Sequence, residues 1–336
     1  MFVVSKKVVP LHPKTIGLWC NGNTADSGPA FPGSSPGSPT KRNPMHASDF
    51  FVYSHKFLRL EFIEVYIIFT MNSASFHTYP ISDTTVTAFS TTRHGGCGDG
   101  TYASFNCTPY TGDEPAVVRA NQDQLCQWLG IPPERLILPY QTHSSHVLTI
   151  DEAFMHLTAD AKHALLQDKD ALISNVRNIC LCVSTADCIP ILLYDRKNQA
   201  IAAIHAGWRG TLARIVEQTI DSMFQNYGTT GKDIEAIIGP GISLEAFEVG
   251  IEVYETFAQA GFHMEQISQW HADKGKHHID LPAANRQQLL AAGIPLNQIH
   301  DSGICTYREY RNYFSARRLG IKSGRILNGI ILQENL

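Results

Sequence analysis

From residue 84 onward the chain alternates short apolar runs with amphipathic segments. Residues 84–91 alternate β-branched and small side chains and predict a strand. Over 113–129, Val118, Leu125 and Leu129 share one face of a helix that Gly130 should stop. Residues 136–141 and 147–150 predict short strands, and 171–174, 179–184, 189–194 and 200–205 are apolar runs of strand length. After Gly210, the spacing of Leu212, Ile215, Val216, Thr219, Ile220 and Met223 makes one helical face. Residues 234–238 form a strand closed by Gly239-Pro240-Gly241. Helices follow over 253–260 and 281–292, the second capped by Asp280 and ended by Gly293. Late strands are expected over 299–305 and 325–331. Several neighbouring strands have no helix between them, which predicts an α+β fold with mixed sheets rather than a doubly wound one.

Residues 1–70 break this pattern. Residues 21–44 are rich in Gly, Ser, Pro and Asn and carry no periodicity. Gly33-Ser34-Ser35-Pro36 can be encoded by a sequence that resembles the T-arm of a transfer-RNA gene. The apolar patch at 57–69 contains Arg59, Glu61 and Glu64 and is too short and too charged to span a bilayer. The expectation is a disordered or spurious N-terminal extension over 1–70, a true start at Met71, and one domain over 71–336.

Composition narrows the function. Of 336 residues, 43% are hydrophobic and 17% charged, as in a soluble globular enzyme. The net charge of -4 argues against a general nucleic-acid-binding surface, and no segment argues for a membrane. Eight Cys without a secretory signal read as reduced thiols of a cytoplasmic protein. Cys180 and Cys182 alternate with Leu181, so they share a strand face and should pack rather than react.

The candidate chemistry lies in three segments at strand ends: Gln141-Thr142-His143-Ser144, Ala186-Asp187-Cys188-Ile189-Pro190 and His205-Ala206-Gly207-Trp208-Arg209-Gly210. Two imidazoles and a thiolate from His143, Cys188 and His205 suit Zn²⁺, with Cu²⁺ as the alternative, and leave a fourth position open, as catalytic zinc requires. His146 is a rival ligand. Asp187 is a carboxylate that needs a partner if buried; it is the candidate for proton transfer or for orienting a His. Arg93 beside Gly95-Gly96-Cys97-Gly98 could cradle phosphate, with Arg209 as a second cation. Gly239-Pro240-Gly241-Ile242-Ser243 is either another phosphate loop or a tight corner. The chain has no Gly-x-Ser-x-Gly elbow, Walker loop, His-Glu-x-x-His or deaminase Pro-Cys-x-x-Cys signature. Its 15 His include no His-x-His pair, which argues against multicopper laccase chemistry.

These segments resemble the laccase-domain purine nucleoside phosphorylase family, once described as polyphenol oxidases. Thr91-Thr92-Arg93-His94-Gly95-Gly96, Asp170-Ala171-Leu172-Ile173-Ser174, Ile238-Gly239-Pro240-Gly241-Ile242 and Asp280-Leu281 add to the three segments above, and the likeness runs from about Phe89 to the C-terminus. It implies a single-domain, layered α/β/β/α fold. It places the metal triad on His143, Cys188 and His205 and a substrate-contacting Arg at Arg93. It implies phosphorolysis of adenosine, inosine and methylthioadenosine to base and sugar 1-phosphate, together with adenosine deamination, so purine nucleosides and phosphate are the expected partners. Gln141 is expected to hydrogen-bond substrate. Two readings compete. One is a Cys/His hydrolase with Cys188 as nucleophile, for example in peptidoglycan-precursor editing. The other is a non-catalytic zinc-binding protein with His146 as fourth ligand.

Overall fold

The computed structural model describes residues 75–334, which fall within one compact unit; the expectations for 1–70 lie outside the described residues. The chain opens with β1 (Phe76–Thr78) and β2 (Val86–Thr91), then helix α1 (Pro115–Leu129). Short β3 (Leu136–Ile137) and β4 (Val147–Thr149) precede β5 (Ala171–Ser174), β6 (Cys180–Thr185), β7 (Ile189–Asp195) and β8 (Ala200–Ala206). Helices α2 (Trp208–Leu212) and α3 (Ile215–Tyr227) lead to β9 (Ile234–Ile238) and β10 (Glu248–Val249). The remainder runs α4 (Ile251–Gln259), β11 (Ser268–His271), β12 (Lys276–Ile279), α5 (Leu281–Ala291), β13 (Ile299–Asp301) and β14 (Ile326–Leu332).

Two larger sheets, ordered β1-β2-β14-β6-β3 and β13-β9-β7-β8-β5-β4, form the centre. Both are mixed: β3–β6, β4–β5 and β9–β13 are parallel and the other pairs antiparallel. Period-2 alternation decides which layers touch. Leu192 and Tyr194 of β7, with Ile201 and Ala203 of β8, meet Leu181 and Val183 of β6 and Ile330 and Leu332 of β14 between the sheets. The intervening residues of β7 and β8, among them Ile191, Leu193, Ala202 and Ile204, face α3 and α5. On the far side, Cys180 and Cys182 pack with Leu125 and Leu129 of α1. The result is the expected α/β/β/α layering, with the two thiols buried as packing groups.

Element ends follow local chemistry. Asp280 caps α5 by accepting from the Ala283 N–H at 2.9 Å, and Gly130 adopts a φ of 68° past α1. Three expectations change. The strands expected over 136–141 and 299–305 are confined to Leu136–Ile137 and Ile299–Asp301. The helix after Gly210 divides at Arg214, whose φ of 61° ends α2 and starts α3. A third sheet, β10-β12-β11, has no counterpart in the sequence reading, because Ser-Gln-Trp-His and Lys-His-His-Ile carry no apolar alternation.

Candidate metal centre and substrate cavity

The β5–β8–β7 core of the six-stranded sheet brings the site together. Pro190 pairs with His205 across β7 and β8, so Cys188, two residues before Pro190, lies at the same sheet end as His205. Ala171 pairs with Ile204 across β5 and β8, which sets Asp170 against His205. The His205 N–H donates to the Asp170 carbonyl at 2.7 Å, and its Nδ1 lies 2.7 Å from Asp170 Oδ1. A carboxylate only accepts, so Nδ1 carries a proton and Nε2 is the nitrogen left to face a metal.

The same carboxylate holds the loop of the third ligand. Asp170 accepts from the backbone N–H groups of Thr142 at 3.1 Å, His143 at 3.0 Å and Ser144 at 2.9 Å, and from Ser144 Oγ at 2.8 Å. This ring of donors holds His143 at a φ of 65°, in the left-handed region that non-glycine residues rarely occupy. His143 Nε2 then lies 3.7 Å from Cys188 Sγ, and one donor atom from each of His143, Cys188 and His205 falls within 4.8 Å of the others. Gly207 completes the cradle, since a Cβ there would stand 2.7 Å from His143 Cδ2 and 3.1 Å from Cys188 Sγ.

Two nitrogens, one sulfur and a carboxylate-oriented imidazole fit a divalent metal with an open coordination position. His146 is outside the set; its Nδ1 lies 2.9 Å from Asp168 Oδ2 on the exposed surface. Burial alone would push the Cys188 thiol up, but the charge of His205 and hydrogen bonds from both imidazoles hold it at about 6. Burial would likewise pull His205 down, and the Cys188 charge together with Asp170 raises it to about 9. Asp170 is held at about 2 because its donors outweigh its burial.

The three donors open into a cavity of about 290 Å³, also lined by Tyr110, Tyr140, Gln141, Thr108 and Arg325. Tyr110 and Tyr140 meet edge to face with centroids 4.8 Å apart and are 41% exposed, offering aromatic surface to a planar ligand. Gln141 lines the cavity, yet its amide is occupied by Ser184, donating to the carbonyl at 2.9 Å and accepting from the N–H at 2.7 Å.

Three expected groups sit elsewhere. The Asp187 carboxylate accepts from Thr306 Oγ1 and from the Arg317 N–H, both at 2.7 Å, so orienting a His falls to Asp170 instead. Arg93 donates to the carbonyls of Ala103 at 2.7 Å and Tyr310 at 2.8 Å, and does not line the cavity. Arg209 packs over Trp208 and does not line it either. The glycine loop is no anion cradle: the N–H groups of Gly96, Cys97 and Gly98 are taken by Ser104 Oγ, Asn121 Oδ1 and the Ser104 carbonyl. The 239–243 segment is a tight corner, with the Gly239 N–H donating to Pro190, Gly241 to Ile304 and Ile242 to Asp187.

Asp170, quoted above only as part of a matching segment, and Arg325 are the cavity and ligand-holding residues to which sequence reasoning gave no role. Each precedes a fully buried strand, β5 or β14. A charge at the mouth of an apolar run is the signal that would have found them.

The family model for multi-copper polyphenol oxidoreductase laccases matches residues 87–333. A purine nucleoside phosphorylase of Bacteroides thetaiotaomicron is 53% identical over 249 residues, covering 74% of this chain and 92% of that protein. Adenosine deaminase RL5, from an unknown prokaryotic organism, is 43% identical over 73% of this chain and 93% of its own length. The crystal structure of YlmD from Geobacillus stearothermophilus superposes with a TM-score of 0.69 at 29% identity, covering 75% of this chain and 93% of that one. With the match spanning nearly all the described residues, the chain belongs to the multi-copper polyphenol oxidoreductase laccase family.

Proposed function

We propose that this protein is a zinc-dependent purine nucleoside enzyme that phosphorolyses adenosine, inosine and methylthioadenosine and also deaminates adenosine. The observation that carries the reading is the open three-donor set of His143, Cys188 and His205 at the foot of an aromatic-walled cavity. The relatives named purine nucleoside phosphorylase and adenosine deaminase support the substrate class.

When bound by His143, Cys188 and His205, zinc supplies Lewis acidity and lowers the pKa of water. The chain's own residues do the positioning. Asp170 keeps a proton on His205 Nδ1, so that imidazole cannot turn its donor nitrogen away, and it fixes the backbone that carries His143. Tyr110 and Tyr140 provide the surface on which a purine would rest. Gln141 ties its loop to Ser184 at the end of β6 and so holds the wall between the aromatic pair and the metal ligands. In phosphorolysis a phosphate oxygen bonds to C1′ as the C1′–N9 bond breaks, and the electron pair leaves with the base. In deamination water adds at C6 and ammonia departs.

A second reading is supported by the lowered Cys188 thiol beside the raised His205, a thiolate–imidazolium pair of the kind that Cys hydrolases use. The two readings differ in what removes activity. Chelation should abolish turnover of adenosine and added zinc should restore it, while iodoacetamide should leave the zinc-loaded enzyme active. In metal-free protein Cys188 should alkylate ahead of the buried thiols, with a rate that rises as pH passes about 6. Inactivation of zinc-loaded enzyme by iodoacetamide would favour the hydrolase and count against the metal reading.

A further inference from the structure

We propose that Arg325 is the anchor for inorganic phosphate, an assignment that rests on the phosphorylase reading above. Among the described residues, Arg325 is the one Lys or Arg that lines the cavity shared by His143, Cys188 and His205. Its guanidinium is fixed by backbone carbonyls: Nη1 donates to those of Ser323 at 2.6 Å and Gly324 at 3.1 Å, and Nη2 to that of Ile321 at 3.1 Å. The backbone is pinned too, by the Arg325 N–H donating to Asn106 Oδ1 at 3.1 Å. No carboxylate pairs with the guanidinium among the described residues. A half-buried, immobilised guanidinium with no carboxylate in ion-pair range is a preorganised receptor for an oxyanion, and its remaining N–H donors can meet phosphate oxygens.

A second observation points to the same ligand. Thr108 lines the cavity, and its Oγ1 is buried without a hydrogen-bond partner. Buried hydroxyls are ordinarily paired, so an orphan in the same cavity as a fixed cation marks a place where a ligand oxygen would complete the bonding. The two other candidate cations cannot take the role from where they stand. Neither Arg93, which packs on Phe314, nor Arg209, which lies over Trp208, lines the cavity.

The test uses the zinc-loaded full chain. Phosphate is varied at saturating adenosine, then adenosine at saturating phosphate, for wild type, R325Q, T108V and R93Q. R325Q is expected to raise the KM for phosphate at least tenfold while the KM for adenosine stays within twofold. T108V should raise the phosphate KM severalfold, and it alone carries the test if R325Q does not fold. Orthophosphate without nucleoside should raise the Tm of wild type and not that of R325Q. An unchanged phosphate KM in both R325Q and T108V, or an increase confined to R93Q, overturns the proposal. If wild type performs no phosphorolysis, the phosphorylase reading fails, and the Tm arm still judges the anion site: a phosphate shift lost in R325Q supports it, and no shift in wild type overturns it. AMP that stabilised the protein through Arg325 more than orthophosphate does would overturn the assignment to free phosphate.

Discussion

Cys188→Ala is expected to strip zinc from the protein and to lower kcat/KM for adenosine by about three orders of magnitude, or about 4 kcal/mol of transition-state stabilisation. Cys188 is the set's only sulfur donor, and removing it leaves two imidazoles, fewer protein ligands than a catalytic zinc ordinarily has. The fold should barely notice. Cys188 is only partly buried and belongs to none of the apolar clusters, so the Tm of the metal-free variant should stay within a few degrees of metal-free wild type. Zinc per chain by elemental mass spectrometry and steady-state kinetics read the two effects separately. A Cys188→Ala protein that kept both its zinc and its full activity would defeat the metal assignment.

Asp170→Ala should be the most damaging single change to stability near the site. The carboxylate is fully buried and accepts from three backbone N–H groups, one hydroxyl and one imidazole. Removing it leaves those donors unpaired and releases His143 from its left-handed backbone. The expected cost is about 3–5 kcal/mol, or a fall in Tm of about 10 °C for a domain of this size. Asp170→Asn keeps the shape but places an amide donor against other donors, and should weaken zinc binding about 10–100-fold. The pH dependence has a defined sign. A carboxyl held at about 2, below its ordinary value of 3.8, contributes fully above that ordinary value and loses its contribution as pH falls toward 2. Asp170→Asn should therefore remove part of the acid sensitivity of unfolding in that window. Calorimetry of both variants with metal content recorded is the check; an Asp170→Ala protein as stable and as zinc-loaded as wild type would show that the loop is held by something else.

The layers were legible in the sequence because β7, β8 and β9 are apolar runs of the right length. Their inner and outer residues differ only by the strand period, and both faces find a partner. The polar third sheet was not legible, since its pairing of Trp270 with His277 and Gln269 with His278 depends on a tertiary neighbour and not on local alternation. The ligands could be nominated from residue type and strand-end position. What separated His143 from His146 in space was Asp170, which sits 27 residues beyond His143 and is brought to it by the parallel β4–β5 register, in which Val147 pairs with Ala171. The arginines show the opposite failure. Arg93 looked like a phosphate cradle because glycines follow it, yet those glycines are close-packed: a Cβ on Gly96 would stand 2.3 Å from the Ser104 carbonyl oxygen. Arg325 had no local motif, and only the return of β14 between β2 and β6 carries it to the cavity.

The most direct measurement is product identity: zinc-loaded protein of known metal content is given adenosine with and without phosphate, and the products are resolved by chromatography. Adenine and ribose 1-phosphate formed only when phosphate is present, with inosine and ammonia formed in its absence, are the expected results. Zinc-loaded protein that yields neither would contradict the purine nucleoside assignment and move the Cys188 hydrolase to the front.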